Sequence, residues 1–267
     1  MTPPVLCYHR IGGPLELGVT RVSPRTFRRQ MQALAKAGWR TLTLEQFGNS
    51  AFRIPHSAFL LSFDDGYAEL AEHAYPVLHD LGFTATTFLI TDYVGRSNGW
   101  DIQYTRDPLT HLDWPAVEAW RGRGFEFASH TATHARLTWL DDVRTAEELA
   151  RSREALMARL GPGAGTAVAY PFGAVDRRVA GAARKAGYSL GFGGVRGVAG
   201  DPMRVPRVPV YMWDLGNVPF GLREDWIGAA GRVAAHVANR CAVGTTVMKG
   251  LRGQGSGVGG RPLTPGP

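Results

Sequence analysis

Short apolar runs alternate with amphipathic stretches along the chain, and this pattern predicts repeated strand–helix units around a mostly parallel sheet or barrel. Continuous apolar runs that end at turn residues are typical of buried strands. Such runs predict strands over residues 5–8, 41–44, 58–63, 83–90, 125–129 and 167–170.

The stretches between these runs predict helices. Ser23 is typical of a helix N-cap, Pro24 of a first helical position, and Gly38 of a helix end. Further helices are expected over 69–81, 114–121 and 145–160, and a helix followed by a strand within 176–192. Residues 250–267 are dominated by Gly and Pro, which predicts a disordered tail after one domain formed by residues 1–249.

Composition narrows the class of protein. With 44% hydrophobic and 20% charged residues in 267 positions, the chain can bury a large core, which excludes disorder over its whole length. The formal charge of +7 comes from dispersed arginines without a run of five or six, so we expect a solvated surface and no nucleic-acid partner.

Export and membrane signals are not expected on the given chain. No uninterrupted apolar run approaches the roughly 18 residues that a membrane-spanning helix needs. The first residues, Met-Thr-Pro-Pro-Val, do not have the charged and then apolar regions of a secretory signal. From these two observations alone, the chain is expected to be cytoplasmic.

Two motifs carry candidate chemistry. Asp64 and Asp65 follow the buried run 58–63, and His130 and His134 follow the run 125–129. Histidines four apart on a helical turn have Cβ atoms about 5–6 Å apart, so both imidazoles can reach one ion and one aspartate can complete the set. Nitrogen and oxygen ligands suit Zn²⁺, with Co²⁺, Ni²⁺ or Fe²⁺ as alternatives, and three protein ligands leave a coordination position open for catalysis.

Each motif by itself has an ordinary structural reading. A His-x-x-x-His pair is most often two surface histidines, and Asp-Asp-Gly after a strand is most often a solvated turn. Together they are more informative, because both follow apolar strand runs. The carboxyl ends of parallel strands share the functional face of a barrel.

Phe63-Asp64-Asp65-Gly66, together with His130-Thr131 and His134, resembles the first two motifs of the polysaccharide deacetylases of carbohydrate esterase family four, also called the NodB homology domain. The resemblance covers roughly residues 4–210. It implies an α/β fold, a distorted (β/α) barrel of about seven units. It also implies that Asp65, His130 and His134 bind the metal and that Asp64 is the general base.

The segment Tyr-Pro-Phe-Gly at 170–173 partly resembles the third family motif. The resemblance implies that a backbone N–H near Phe172 stabilises the oxyanion of the tetrahedral intermediate. It also implies that Tyr170 and Pro171 contribute to substrate binding.

One expected arginine is absent from that motif. Ala169 stands where many family members carry an arginine that orients the base. Arg207 and Arg204, in the segment Arg-Val-Pro-Arg-Val-Pro, are the candidates to replace it. Arg207 is in addition expected to contact the substrate.

The general acid is expected at the start of the chain. The family's usual Leu-x-His near the carboxyl end is absent, and His236 has the context of a helix face. The segment Val-Leu-Cys-Tyr-His at 5–9 resembles the first strand of a circularly permuted subgroup, similar to deacetylases of biofilm poly-N-acetylglucosamine, in which an early histidine is the acid. This resemblance assigns that role to His9.

A loop after the run 83–90 is expected to form the rim of the site. Asn98, Trp100 and Asp101 are the candidate substrate-binding residues there. An indole offers a flat apolar face to a sugar ring, although a tryptophan in this position can equally cover the core.

These observations predict a metal-dependent hydrolase that removes N-acetyl groups from N-acetylglucosamine units of a polysaccharide. One alternative is an O-acetyl esterase acting on xylan or peptidoglycan, which uses the same metal and base. Another is a non-catalytic carbohydrate-binding protein on a decayed barrel, suggested by Ala169 and by the absent carboxyl-terminal histidine. The substrates of the family suggest the cell envelope, so the sequence leaves the location open.

Overall fold

The computed structural model describes residues 2–14, 18–49, 54–100, 108–195, 197–226 and 228–234. The predicted tail and His236 lie outside this range. The strands are β1 (Val5–Tyr8), β2 (Arg10–Ile11), β3 (Arg21–Val22), β4 (Arg40–Thr41), β5 (Ala58–Phe63), β6 (Thr86–Leu89), β7 (Glu126–Ser129), β8 (Ala167–Ala169), β9 (Leu190–Phe192) and β10 (Val208–Pro209). The α-helices are α1 (Pro24–Lys36), α2 (Leu44–Gly48), α3 (Glu69–His73), α4 (Tyr75–Asp80), α5 (Trp114–Arg121), α6 (Asp142–Leu160) and α7 (Arg177–Lys185).

Seven parallel strands form one curled sheet in the order β10-β1-β5-β6-β7-β8-β9, and β4 pairs with the beginning of β5. The two edges approach each other through the segment 205–209. Val205 forms a parallel bridge with Phe192 of β9, and the following β10 pairs with β1. The predicted distorted (β/α) barrel is thereby confirmed.

Alternate side chains of the strands fill the barrel. Since successive residues of a strand face opposite sides, one parity of each strand points inward. The inner cluster contains Val5, Leu60, Phe88, Ala128, Ala169, Phe192 and Val205. Asp64, His130 and Arg207 follow Leu60, Ala128 and Val205 by an even number of residues. Their side chains therefore face the same side and lie at the carboxyl end of the barrel.

Helices cover the outer face of the sheet. In α1, Phe27, Met31 and Leu34 recur at helical spacing and are completely buried. Ser23 caps this helix by accepting a hydrogen bond from the backbone N–H of Thr26, as the sequence predicts. No helix in the described part of the chain has both the length and the apolar character needed to cross a lipid bilayer.

Two sequence predictions of secondary structure are wrong. The strand expected over 41–44 ends at Thr41, because Thr43 and Gln46 form a reciprocal capping box that begins α2 at Leu44. The single helix expected over 69–81 is divided into α3 and α4. Pro76, in the first turn of α4, has no N–H with which to continue the helix from α3.

Candidate metal centre and active site

The three predicted metal ligands converge at the carboxyl end of the barrel. Asp65 follows β5, and His130 follows β7 directly. The Oδ1 atom of Asp65 lies 3.4 Å from Nε2 of His130 and 3.4 Å from Nε2 of His134. All three side chains are buried. Residues 65 positions apart in the chain thus point their donor atoms at one place.

The donor atoms are oriented to hold a divalent cation. Nδ1 of His130 lies 2.8 Å from the carbonyl oxygen of Ala169, which only accepts, so Nδ1 carries the proton and Nε2 has its lone pair available. Oδ1 of Asp65 is buried and has no hydrogen-bond partner among the described residues. A carboxylate oxygen placed between two imidazole nitrogens fits zinc or a similar transition metal.

Backbone strain is concentrated around this centre. Among the described residues, left-handed φ values outside glycine occur at Asp65 (69°), Thr131 (67°), His134 (63°) and Phe172 (60°). Each such residue costs on the order of 1–3 kcal/mol and persists only where its surroundings hold it in place. The four residues therefore depend on support from neighbouring elements.

Glu148 of α6 supplies part of that support, and sequence analysis missed it. Its buried carboxylate accepts hydrogen bonds from the backbone N–H groups of Ala132 (3.1 Å) and Thr133 (2.9 Å) and from the Thr133 hydroxyl (2.7 Å). These bonds fix the turn between the two histidines. The sequence places Glu148 next to Leu149 on the apolar face of a helix. An unpaired charge buried there would destabilise the fold, so this position indicates a polar partner.

We expect Glu148→Ala to lower the free energy of unfolding by about 3 kcal/mol, because buried N–H and O–H donors lose a charged acceptor. The neighbouring Glu147 is exposed, so Glu147→Ala should stay within about 0.5 kcal/mol of the wild type. Urea unfolding of both variants measures the difference. Equal effects of the two substitutions would contradict the supporting role of Glu148.

The predicted general base is paired with an arginine. Nη1 and Nη2 of Arg207 donate to Oδ1 and Oδ2 of Asp64 at 2.6 and 2.7 Å, and both side chains are buried. Burial favours a higher pKa for Asp64, but the Arg207 guanidinium holds that pKa below its usual range. Asp64 is therefore a carboxylate that can accept a proton.

Arg207, and not Arg204, contacts Asp64, the predicted base. Arg204 pairs instead with Asp201 at 2.7 Å. The guanidinium group of Arg207 donates to Asp64, and its Nε also donates to the carbonyl oxygen of Gly193 at 2.9 Å. These contacts favour orientation of Asp64 over the substrate contact that the sequence analysis also expected of Arg207.

His9 follows β1 and lies beside Asp64. One donor atom each from Cys7, His9 and Asp64 lie within 4.8 Å of one another. Nδ1 of His9 is buried and has no hydrogen-bond partner in the described part of the chain. Burial raises the pKa of Cys7, so this residue stays a thiol. Because Arg207 already neutralises Asp64, this second trio suits a cation poorly, and His9 is positioned next to the predicted base instead.

Two aromatic rings enclose His134. The ring of Trp100 is centred 3.8 Å from that imidazole, and the ring of Phe172 is centred 4.8 Å away. Trp100 is buried, so its indole covers His134 and does not present the open face expected for a sugar. Phe172 is partly exposed.

Other predicted substrate-binding residues lie elsewhere or have other contacts. The side chain of Tyr170 is completely buried and donates to the carbonyl oxygen of Met203 at 3.0 Å, so it belongs to the core. Pro171 is also buried. Asn98 donates to the Tyr67 hydroxyl at 3.3 Å. Asp101 lies outside the described residues.

His111 is a second residue that the sequence did not reveal. Its Nδ1 atom lies 2.8 Å from the backbone carbonyl oxygen of Asp65. Burial lowers the pKa of His111, which favours the neutral imidazole. No local motif marks this residue, because its contact with Asp65 depends on the pairing of a distant loop with Gly66 and Tyr67.

Comparisons with known proteins agree with this fold. A family model described as polysaccharide deacetylase matches residues 53–191, slightly more than half of the chain. The structure of a Streptococcus pyogenes deacetylase in complex with acetate superposes with a TM-score of 0.71 at 21% identity, covering 80% of this chain and 94% of that one. The structure of IcaB from Ammonifex degensii superposes with a TM-score of 0.65 at 26% identity, covering 78% of this chain and 91% of that one.

One curated relative is named poly-beta-1,6-N-acetyl-D-glucosamine N-deacetylase and comes from Staphylococcus epidermidis. It is 27% identical over 191 residues, which cover 68% of this chain and 64% of the relative. The chain therefore spans less than two thirds of the length of the curated relatives it matches.

Proposed function

The chain belongs to the polysaccharide deacetylase family, and from this membership and the geometry of the site we propose that it removes N-acetyl groups from N-acetylglucosamine units of a polysaccharide. The reaction adds water across the amide, releasing acetate and leaving a free amine. The observation that carries the proposal is the convergence of Asp65, His130 and His134 beside the ionised Asp64. The name of the Staphylococcus epidermidis relative supports the choice of polymer class.

Asp65, His130 and His134 would hold the divalent cation. When bound, such a cation supplies Lewis-acid polarisation of the acetamide carbonyl and lowers the pKa of the attacking water to about 7. The buried imidazoles and carboxylate fix its place at the mouth of the barrel.

Asp64 and His9 would move the two protons of the reaction. Asp64 accepts the proton of the attacking water, and Arg207 keeps the carboxylate ionised and correctly turned. His9 donates a proton to the amine nitrogen as the carbon–nitrogen bond breaks. The proximity of the two side chains at the site suits this exchange of protons.

Phe172 would stabilise the oxyanion through its backbone. Its left-handed conformation, with φ 60° and ψ 12°, turns the peptide sharply after the end of β8, while its ring packs against His134. A backbone N–H donor at this position stabilises negative charge on the former carbonyl oxygen. This contribution would come from the backbone and would not depend on the side chain of Phe172.

Two observations favour this function over the alternatives. An amide nitrogen departs only when it is protonated, whereas an ester alkoxide is a better leaving group, so a histidine beside the base suits an N-acetyl substrate. Arg207 supplies to Asp64 the contact that Ala169 cannot make. The absence of an arginine at position 169 is therefore not evidence for a decayed, non-catalytic barrel.

Acetate release tests the proposal. The zinc-loaded protein should release acetate from fully N-acetylated β-1,6-linked or β-1,4-linked glucosamine oligosaccharides. Removal of the metal by a chelator should abolish the activity, and Zn²⁺ or Co²⁺ should restore it. Acetylxylan and O-acetylated peptidoglycan serve as ester substrates in the same assay.

The outcomes separate the candidate functions. Acetate from the ester substrates alone would replace the proposal with an O-acetyl esterase. Oligosaccharide binding without acetate from any substrate, at full metal occupancy, would indicate a carbohydrate-binding protein.

We expect His9→Ala to lower the turnover of N-acetyl substrates by about 10²-fold at unchanged zinc content, because the amine loses its proton donor. Hydrolysis of an activated aryl acetate should be much less affected, since that leaving group needs no protonation. His79→Ala, on the exposed face of α4, is the matched control. An equal loss on both substrates would contradict the general-acid role of His9.

A further inference from the structure

We propose that His111 is a positioning residue that holds the backbone of Asp65 and thereby sets the affinity of the site for its divalent cation. The inference rests on the ligand set of the proposed function. It adds a residue that contacts neither substrate nor cation and acts through Asp65.

The hydrogen bonds of His111 define its tautomer. The indole N–H of Trp100 donates to Nε2 of His111 at 3.3 Å, and an indole nitrogen is only a donor. Nε2 is therefore the acceptor, and Nδ1 carries the proton. That proton is donated to the carbonyl oxygen of Asp65 at 2.8 Å.

Asp65 has a strained backbone that such a bond would stabilise. Its φ of 69° lies in the left-handed region, which aspartate tolerates better than most residues but still at a cost. Rotation toward an ordinary backbone conformation would swing Oδ1 away from the two imidazoles, which are each 3.4 Å away. A fixed carbonyl oxygen opposes that rotation directly.

His111 is itself held rigidly. Its ring stacks on Tyr67 with centroids 5.0 Å apart and planes 18° apart. The backbones of these two residues form an antiparallel bridge, and Leu112 N–H donates to the carbonyl oxygen of Gly66 at 2.9 Å. The loop that carries His111 is therefore paired with the residues immediately after Asp65.

Trp100 extends the same support to a second ligand. While its N–H donates to His111, its ring packs on His134. The pair Trp100–His111 thus touches the backbone of one metal ligand and the imidazole of another. Partners of this kind outside the ligand shell typically change metal affinity by about 10- to 100-fold when they are removed.

Zinc affinity of the full chain tests the proposal, measured by competition with a chromophoric chelator. His111→Phe keeps a ring to stack on Tyr67 but removes both nitrogens, and it should weaken zinc binding by about 10- to 100-fold. His111→Asn places an amide N–H near the position of Nδ1 and should recover most of the wild-type affinity. His79→Phe, an exposed histidine on α4, is the matched control and should bind zinc like the wild type.

The visible absorption spectrum of the Co²⁺-loaded protein gives a second readout that does not depend on activity. His111→Phe should shift this spectrum, because the position of the Asp65 carboxylate changes, and His111→Asn should restore it. If the Phe variant does not fold, His111→Gln replaces it, since the longer amide can accept from Trp100 but does not reach the Asp65 carbonyl oxygen.

Unchanged zinc affinity in His111→Phe or His111→Gln would overturn the inference, as would equal weakening in His111→Asn. These outcomes are distinct from failure of the proposed function. A wild-type protein that binds zinc tightly but releases no acetate would reject the deacetylase proposal and leave the role of His111 intact. A wild-type protein that binds no divalent cation would reject both.

Discussion

Asp64→Asn is expected to lower the rate of acetate release by about 10²- to 10⁴-fold, the usual contribution of a general base. The amide has nearly the shape of the carboxylate and can still accept a hydrogen bond from Arg207, but it cannot take the proton of the attacking water. The proposed metal ligands Asp65, His130 and His134 are not altered. Zinc content should therefore equal that of the wild type.

Steady-state rates on the best oligosaccharide substrate and metal analysis of the same sample measure this effect. The loss should fall on kcat, because binding of the sugar does not require the carboxylate. Asp142→Asn removes an exposed carboxylate at the beginning of α6 and is the control that should retain full activity. A variant at Asp64 that keeps normal turnover would show that another group is the base.

Arg207→Met is expected to lower the free energy of unfolding by about 3–5 kcal/mol, because it leaves Asp64 as an unpaired charge inside the barrel. The paired groups are among the most buried polar side chains at the site, and their two hydrogen bonds of 2.6 and 2.7 Å form a bidentate pair. The remaining folded protein should also lose turnover, since Asp64 is no longer held.

A control substitution at Arg204 and a double variant show whether the loss of stability comes from leaving Asp64 unpaired. Arg204→Met breaks a partly exposed pair with Asp201 and should cost no more than about 1 kcal/mol. The double variant Asp64→Asn/Arg207→Met should be more stable than Arg207→Met alone, because it no longer buries an isolated carboxylate. Denaturant unfolding of the wild type, Asp64→Asn, Arg207→Met, the double variant and Arg204→Met tests both statements, and an additive double variant would contradict direct coupling of the pair.

The position of Arg207 gives Asp64 an arginine partner although position 169 is alanine. The inner parity of β8 gives Ala169 an inward side chain and a carbonyl oxygen that accepts from Nδ1 of His130. Arg207 reaches Asp64 from the segment 205–209, which links the two edges of the sheet. Asp64 therefore receives its arginine contact from a residue just before β10 and not from β8.

The sequence by itself predicted the parts of the structure that are governed by neighbouring residues. Apolar runs predicted β1, β5 and β7, and Ser23 with Pro24 predicted the start of α1. The chemistry at the strand ends followed from the same reasoning, because parallel strands of a barrel end at one face. The two wrong predictions of secondary structure also have causes in neighbouring residues. The capping box at Thr43 begins α2, and Pro76 interrupts the helix between α3 and α4.

Only the tertiary structure decided which distant groups meet. Arg207 pairs with Asp64 across 143 positions, and His111 reaches the Asp65 carbonyl oxygen across 46. Glu148 fixes the turn before His134 from a helix that nothing in the motif indicates. Alternation along a strand sets the side to which a residue points, but the partner it finds depends on how the sheet curls and where each loop returns.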